Sequence, residues 1–262
     1  MKPSILVERW LGHASCATAI YGDVSAANYD IKHRIFLDIF KVLYHIPDME
    51  TTLTQEDRAT ALLRERGMAR LSEFIEQGIT AATISRMERK GAVNQLGRGL
   101  YQLPDAPLDA NHSLAEAAKL VRNGVICGIS ALAFHELTDR IPAFVWVAIG
   151  PRDWRPKITR PRIQIERFGS KVFDKGIETH IIERVPVRIY SPAKTIVDLF
   201  RNGHHQKILY SSATGLTEAT HGMKEALRLR KATPAEIAQY AVEAGIWEKI
   251  VQPRLEALTV DA

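Results

Sequence analysis

The chain has 262 residues, 46% of them hydrophobic and 25% charged, proportions that predict a globular protein with a core of its own. No apolar run approaches the roughly 18 residues of a membrane span, and residues 1–20 lack the order of a signal peptide. We therefore expect a cytoplasmic protein without a membrane partner. Cys16 and Cys127 have no Cys-x-x-Cys partner, so neither a disulfide framework nor a zinc site is predicted.

Residues 1–48 differ in pattern from the rest of the chain. The stretch IKHRIFLDIFKVLYHI, residues 31–46, has apolar residues at helical spacing and a basic opposite edge, which predicts an arm or a docking helix. Met49 immediately precedes the first strongly organised segment. A second hypothesis is therefore that translation starts there and that residues 1–48 lie upstream of the genuine chain. The sequence leaves both hypotheses open.

Three short helices are predicted next along the chain. Residues 54–67 carry apolar side chains at three- and four-residue steps after a capping-box pattern, and a glycine ends them. Residues 71–78 repeat this spacing as far as a second glycine. Thr80 is placed to cap a third helix over residues 81–90. Two short helices joined by a glycine turn match the helix-turn-helix arrangement.

The third helix is predicted to have an apolar side and a cationic side. Ala81, Ile84 and Met87 mark the side expected to face the core. The residues expected to meet base edges and phosphates of DNA are Thr80, Thr83, Arg86, Arg89 and Lys90. Since the second helix of a helix-turn-helix enters the major groove, this helix is the predicted recognition helix.

A β-hairpin with Gly97, Arg98 and Gly99 at its tip is predicted after the third helix. The two glycines permit a tight reversal with positive φ, but a turn does not require the arginine between them. In a winged helix-turn-helix the hairpin tip, or wing, lies over the neighbouring backbone or minor groove. We therefore expect Arg98 to contact DNA phosphate, because a guanidinium meets phosphate in a forked geometry.

Proline, aspartate and asparagine are concentrated in the stretch LPDAPLDANHS, which predicts a linker over residues 104–112. Beyond it, helices and strands alternate without a repeating order, and from Ser191 onward the pattern is helical. The predicted fold class is α+β. It comprises a winged helix-turn-helix over residues 49–103 and a mixed α+β C-terminal domain over residues 113–262.

The net charge of +5 is concentrated in one segment. Gly150 to Lys175 contains eight basic and three acidic residues, an excess equal to that of the whole chain. The candidates for contact with nucleic acid or a toxin are Arg152, Arg155, Lys157, Arg160 and Arg162. The alternative is a solvated surface of strands and loops without a partner.

The sequence carries no recognisable catalytic motif. The stretch HELTD, residues 135–139, ends in aspartate where a zinc-protease helix needs its second histidine, and no phosphate-binding glycine loop or esterase elbow occurs. We therefore predict a protein with no catalytic residues, no metal and no cofactor. A nuclease using Asp153, Glu166 and Lys171 is the alternative, although no tight acidic-x-Lys spacing supports it.

The stretch TQEDRATALLRERGMARLSEFIEQGITAATISRMERKGAVNQLGRGLYQL resembles the N-terminal winged-helix domain of AbiEi-type antitoxins, the transcriptional regulators of type IV toxin–antitoxin systems. ISALAFHELTDRIPAFVWVAI and VPVRIYSPAKTIVDLF are similar to the C-terminal antitoxin domain of that family. The resemblance runs from Thr51 to Ile250 and omits residues 1–48.

The resemblance implies an abortive-infection (phage defence) regulator that represses its own operon and counters a co-encoded nucleotidyltransferase-like toxin. Because paired helix-turn-helix modules bind two half-sites, the operator DNA is expected to contain inverted repeats. Whether neutralisation uses direct contact with the toxin is left open. A stand-alone repressor that senses a ligand in its second domain is the alternative.

Lys194 and Asp198 stand four residues apart on the helix predicted after Ser191. One explanation is a local ion pair worth a few tenths of a kcal/mol. The resemblance suggests instead a structural or toxin-facing role, because the family uses this stretch repeatedly. The sequence does not separate the two.

Overall fold

The computed structural model describes residues 53–205 and 212–260, which combine helices with two separate β-sheets. The mixed α+β class is therefore confirmed. The helix predicted over residues 31–46 lies outside the described residues. Within the described ranges, no helix is long and apolar enough to cross a membrane.

Residues 53–103, here called the N-terminal module, contain three helices and a three-stranded antiparallel sheet of order β1-β3-β2. The elements are α1 (Gln55–Arg66), β1 (Met68–Arg70), α2 (Leu71–Glu76), α3 (Ala81–Arg89), β2 (Asn94–Gly97) and β3 (Leu100–Gln102). This succession of helix, strand, two helices and hairpin is the order of elements in a winged helix. The predicted capping box is present, since the Thr54 hydroxyl accepts from the Asp57 backbone N–H at 3.1 Å.

The three helices of the module enclose a small apolar core. Leu63 of α1, Phe74 of α2, and Ile84 and Met87 of α3 are fully buried together. Tyr101 of β3 meets the Phe74 ring edge-on, with centroids 6.1 Å apart. The hairpin is therefore held to the helices by an aromatic contact as well as by the sheet.

The described residues from 112 to 260 are called the C-terminal part. Its first segment contains both helices and strands, and its second segment contains helices. Its elements are α4 (His112–Leu120), β4 (Val125–Ile126), α5 (Gly128–Phe134), β5 (Val145–Ile149), β6 (Ile163–Arg167), α6 (Ser170–Phe173), β7 (Ile177–Ile182) and β8 (Val185–Tyr190). The sheet order is β6-β5-β4-β8-β7. The pairs β5/β6 and β4/β8 are parallel, whereas β4/β5 and β7/β8 are antiparallel.

Helices complete the C-terminal part. They are α7 (Pro192–His205), α8 (Ser212–Arg228), α9 (Pro234–Glu243), a π-helical turn (Trp247–Val251) and α10 (Gln252–Val260). Their apolar faces meet in a second core that includes Ile196, Phe200, Met223 and Ile237. As predicted, Pro192 opens α7 directly after Ser191. The short strands β1 and β4 were not predicted, because two or three residues carry too little alternation to be recognised.

The N-terminal module packs directly on the C-terminal part. Met68 of β1 and Leu100 of β3 are fully buried in the core that lies under the larger sheet. Gln102 donates to the Glu183 carboxylate at 3.2 Å, and Arg184 donates to the carbonyl of Arg64. Glu183 and Arg184 form the turn between β7 and β8, both with positive φ. This turn therefore seats the module against the larger sheet.

Candidate nucleic-acid interface

The first residue of α1 fixes the start of α3. The side-chain oxygen of Gln55 accepts from the Thr80 N–H at 3.0 Å, the Thr80 hydroxyl at 3.1 Å and the Thr83 hydroxyl at 2.8 Å. Thr80 also caps α3 by accepting from the Thr83 N–H at 3.3 Å. Backbone groups at the helix start are thus satisfied from within the module.

The prediction that Thr83 faces away from the core is wrong. Its exposed fraction is 5%, and it lies beside Ile84 and Met87 on the buried side of α3. Ala81, expected in the core, is exposed instead. The buried stripe therefore runs through positions 83, 84 and 87, and the bond to Gln55 satisfies the buried hydroxyl. Thr83 consequently supports α3 from within.

Three cations lie on the outer side of α3, and an acid on α1 holds two of them. Arg86 Nε lies 2.9 Å and Lys90 Nζ 3.1 Å from the Glu56 carboxylate, and both cations are about half exposed. Hydrogen bonds from Lys90 and then Arg86 lower the pKa of Glu56. Arg89 is exposed and bonds only to the carbonyl of Ser85 among the described residues, at 3.4 Å.

The hairpin tip presents Arg98 to solvent. Arg98 is exposed and makes no hydrogen bond or ion pair with any residue that the structure describes. Of the two flanking glycines, Gly99 uses positive φ, at 68°. Gly97 lies beside another segment, since a Cβ there would be in van der Waals contact with the carbonyl oxygen of Arg160, at 3.4 Å. The hairpin thus runs closely past another part of the chain.

That part is the basic loop, defined here as residues 152–162, which precedes β6. Its five cationic residues are all exposed, and none forms an ion pair within the described ranges: Arg152, Arg155, Lys157, Arg160 and Arg162. Trp154 has 83% of its surface exposed. Arg167, in contrast, is engaged by the backbone, with donated bonds of 2.6 Å to Pro151 and 3.0 Å to Asp153.

The residues considered for a nuclease or a zinc enzyme have structural contacts. The Asp153 carboxylate accepts from the Gly150 N–H at 2.8 Å, and Glu166 is buried in β6. His135 is buried and contacts the Tyr190 carbonyl through Nε2 at 2.8 Å. Across residues 53–205 and 212–260, no group of three or more His, Cys, Asp or Glu residues is arranged to hold a metal ion.

The Lys194–Asp198 pair lies in the interior rather than on the surface. Each residue is 3% exposed, Lys194 Nζ donates to Asp198 Oδ2, and Arg201 lies 3.2 Å from Asp198 Oδ1. Lys194 Nζ also lies 4.7 Å from the centroid of the Tyr190 ring. Burial raises the pKa of Asp198 and lowers that of Lys194. The pair is therefore an internal component of the C-terminal part.

Sequence reasoning missed Gln55 and Glu56 as supports of α3. An acid in the first turn of a helix has an ordinary explanation in the helix dipole, so Glu56 carried no distinct signal. Its partners lie 30 and 34 positions further along the chain. Only the packing of α1 against α3 brings these groups together.

Comparison with known proteins finds one family model that matches the N-terminal module. Residues 57–104 match the family described as "Transcriptional regulator, AbiEi antitoxin". The crystal structure of the RV2827C protein from Mycobacterium tuberculosis is similar to this chain with a TM-score of 0.45 and 15% identity, over 79% of this chain and 81% of that chain. No curated protein matches the sequence. The family match covers α1 from its third residue, both following helices and the hairpin, including Arg86 and Arg98.

Proposed function

We propose that this chain, whose residues 57–104 match the AbiEi antitoxin family of transcriptional regulators, binds operator DNA and represses its own operon. The observation that carries the proposal is the placement of the cations. Arg86, Arg89 and Lys90 line the outer side of α3 and Arg98 lies at the hairpin tip, while the apolar side of the module is buried. This division of charge suits a helix in the major groove and a hairpin on the backbone.

The position of each cation suits a particular contact with DNA. Arg86 and Arg89 lie one turn apart on α3, where guanidinium groups can bond to guanine edges or phosphates. Lys90 follows at the end of the helix, where its ammonium group can bind a phosphate as a point charge. Thr80 is exposed at the helix start, and its hydroxyl is already bound to Gln55. We therefore assign Thr80 to positioning or a phosphate contact, with recognition left to the arginines.

The chain is further proposed to be the antitoxin of a type IV system, acting without catalysis against a co-encoded nucleotidyltransferase-like toxin. The family description supports an antitoxin role. We assign DNA binding to residues 49–103, the connection to residues 104–112 and the antitoxin activity to residues 113–262. The C-terminal part supports this division because it has its own sheet and its own helical core.

Arg98→Ala is expected to separate repression from antitoxin activity. Losing one phosphate contact should weaken binding to all duplex sequences similarly and lower the slope of log affinity against log salt by about 1. Growth rescue during expression of the neighbouring toxin should stay at the wild-type level, because the hairpin tip lies outside the C-terminal part. The measurements are salt titrations by gel shift and growth of cells that express the toxin.

The matched control is Lys224→Ala, which removes one exposed cation from α8. It should leave the salt slope unchanged. If Arg98→Ala behaves like Lys224→Ala in the salt titration, the hairpin tip does not contact DNA. If the wild-type chain binds its upstream region but gives no growth rescue, it is a repressor without antitoxin activity.

Glu56→Gln is expected to strengthen non-specific binding to duplex DNA. The substitution keeps the size of the side chain, releases Arg86 and Lys90 from an acid, and removes a negative charge beside the proposed backbone contacts. Affinity for unrelated duplexes should rise up to about fivefold at low salt, and discrimination in favour of the operator should fall. Titrations with operator and scrambled duplexes measure both.

Glu65→Gln provides the control for that experiment. Glu65 lies on the same helix, is exposed and forms no ion pair with a residue in the described ranges. The two variants have the same net charge. Equal affinities of the two variants for scrambled DNA would show that Glu56 does not restrain the cations of α3.

A further inference from the structure

We propose that the basic loop, residues 152–162, is a second duplex-contacting element that continues the DNA surface beyond the hairpin tip. The inference rests on the proposed function of the N-terminal module, because the hairpin places the loop beside the same duplex. It assigns a DNA contact to the C-terminal part, outside the segment that matches the family. The ligand is the sugar-phosphate backbone that flanks the sequence read by α3.

The loop is fixed against the hairpin. The backbone of Arg160 lies beside Gly97, because a Cβ on the glycine would be in van der Waals contact with the Arg160 carbonyl oxygen, at 3.4 Å. On the same side, Leu96 of β2 and Ile158 of the loop pack on one apolar core. Arg98 follows Gly97 directly, so the end of the loop at Arg160 lies next to the hairpin tip.

The beginning of the loop is also fixed, by Arg167. Its guanidinium donates to the carbonyls of Gly150 at 3.1 Å, Pro151 at 2.6 Å and Asp153 at 3.0 Å. The carboxylate of Asp153 accepts from the Gly150 N–H and is therefore engaged at the base of the loop. Attachment at both ends lowers the entropy that the loop would lose on binding, which favours contact with a rigid partner.

The charge of the loop suits phosphate. Five exposed cations occur within eleven residues, without an ion pair to any described residue, and the one acid in the stretch is Asp153. A surface of a single sign attracts the duplex backbone and releases its counterions. The exposed Trp154 could also stack on an unpaired base, so single-stranded nucleic acid is the competing ligand. Attachment to the hairpin favours the duplex.

The test compares Arg155→Ala/Arg162→Ala with the wild-type chain on two operator duplexes. One duplex ends at the hairpin side of the site protected by the module, and the other extends by one helical turn on that side. The wild-type chain should bind the longer duplex more tightly. The double variant should lose that preference, and its salt slope on the longer duplex should fall by about 2, one for each lost phosphate contact.

Lys224→Ala/Lys249→Ala is the control, because it removes two exposed cations from the C-terminal helices. If the loop variant has the same slope and length preference as this control, the loop does not contact the duplex, although the proposed repressor function stands. If the wild-type chain binds neither duplex, both proposals are overturned. If the loop variant loses affinity only for unpaired RNA or DNA of equal length, the loop binds single strands and the duplex assignment is overturned.

Discussion

Asp198→Ala is expected to lower the free energy of unfolding by about 3–5 kcal/mol, because it leaves a buried cation without its anion. Lys194 is 3% exposed and donates to Asp198, while Arg201 contacts the second carboxylate oxygen at 3.2 Å. The Tyr190 ring near Lys194 Nζ attracts the cation but does not replace a carboxylate. Urea denaturation of the purified chain measures the loss.

Two further variants identify the cause of that loss. Lys194→Met/Asp198→Leu removes the buried Lys–Asp pair and keeps most of the volume, so it should recover part of the stability, since apolar replacement of a buried pair is often neutral. Arg201 loses its carboxylate partner in both Asp198 variants. Glu243→Ala breaks an exposed pair with Lys175 and should leave the unfolding midpoint nearly unchanged. A double variant as unstable as Asp198→Ala would show that the unpaired charge of Lys194 is not the cause of the loss.

Gly67→Ala is expected to destabilise the chain by about 2–5 kcal/mol, through backbone strain and a steric overlap. Gly67 ends α1 with φ 72° and ψ −58°, a conformation that is unfavourable for residues with a Cβ. An added Cβ would also overlap the carbonyl oxygen of Glu183 in the β7–β8 turn. The substitution should therefore weaken the contact between the N-terminal module and the β7–β8 turn, and it should also destabilise the end of α1.

Gly91→Ala separates these two contributions. Gly91 also has positive φ, at 70°, but a Cβ there would meet nothing within 4 Å. Its cost should be the strain alone, about 1–2 kcal/mol. Equal losses of stability in the two glycine variants, measured by urea denaturation, would mean that the β7–β8 turn does not hold the module. A larger loss for Gly67→Ala, with faster hydrogen exchange in β1 and β3, is the expected result.

The packing of the N-terminal module on the C-terminal part affects how the two proposed activities can be tested separately. The side chains of Met68 and Leu100 belong to the N-terminal module but are buried in the core under the larger sheet. A fragment that lacks residues 49–103 would expose the apolar surface that these side chains cover. Point variants of the full chain, such as Arg98→Ala, therefore separate the two proposed activities more safely than truncation does.

The sequence by itself determined the local elements. Apolar spacing, glycines and caps placed the three helices, the hairpin and most of the C-terminal helices and strands, because each of these signals lies within one element. It also identified the exposed cations Arg86 and Arg98 and the basic loop, since cations are rarely buried without a partner. For Lys194 and Asp198 the sequence left open both a local ion pair and a structural or toxin-facing role.

Tertiary structure alone decided which of these groups meet. Glu56 contacts Arg86 and Lys90 because α1 packs against α3. The basic loop lies beside the hairpin because the N-terminal module packs on the larger sheet. Thr83 turned inward because Gln55, 28 positions away, satisfies its hydroxyl. Periodicity specifies the faces of one helix, but the burial of a polar side chain depends on a partner from another element. That dependence also explains why the interior position of Asp198 could not be predicted from its spacing to Lys194.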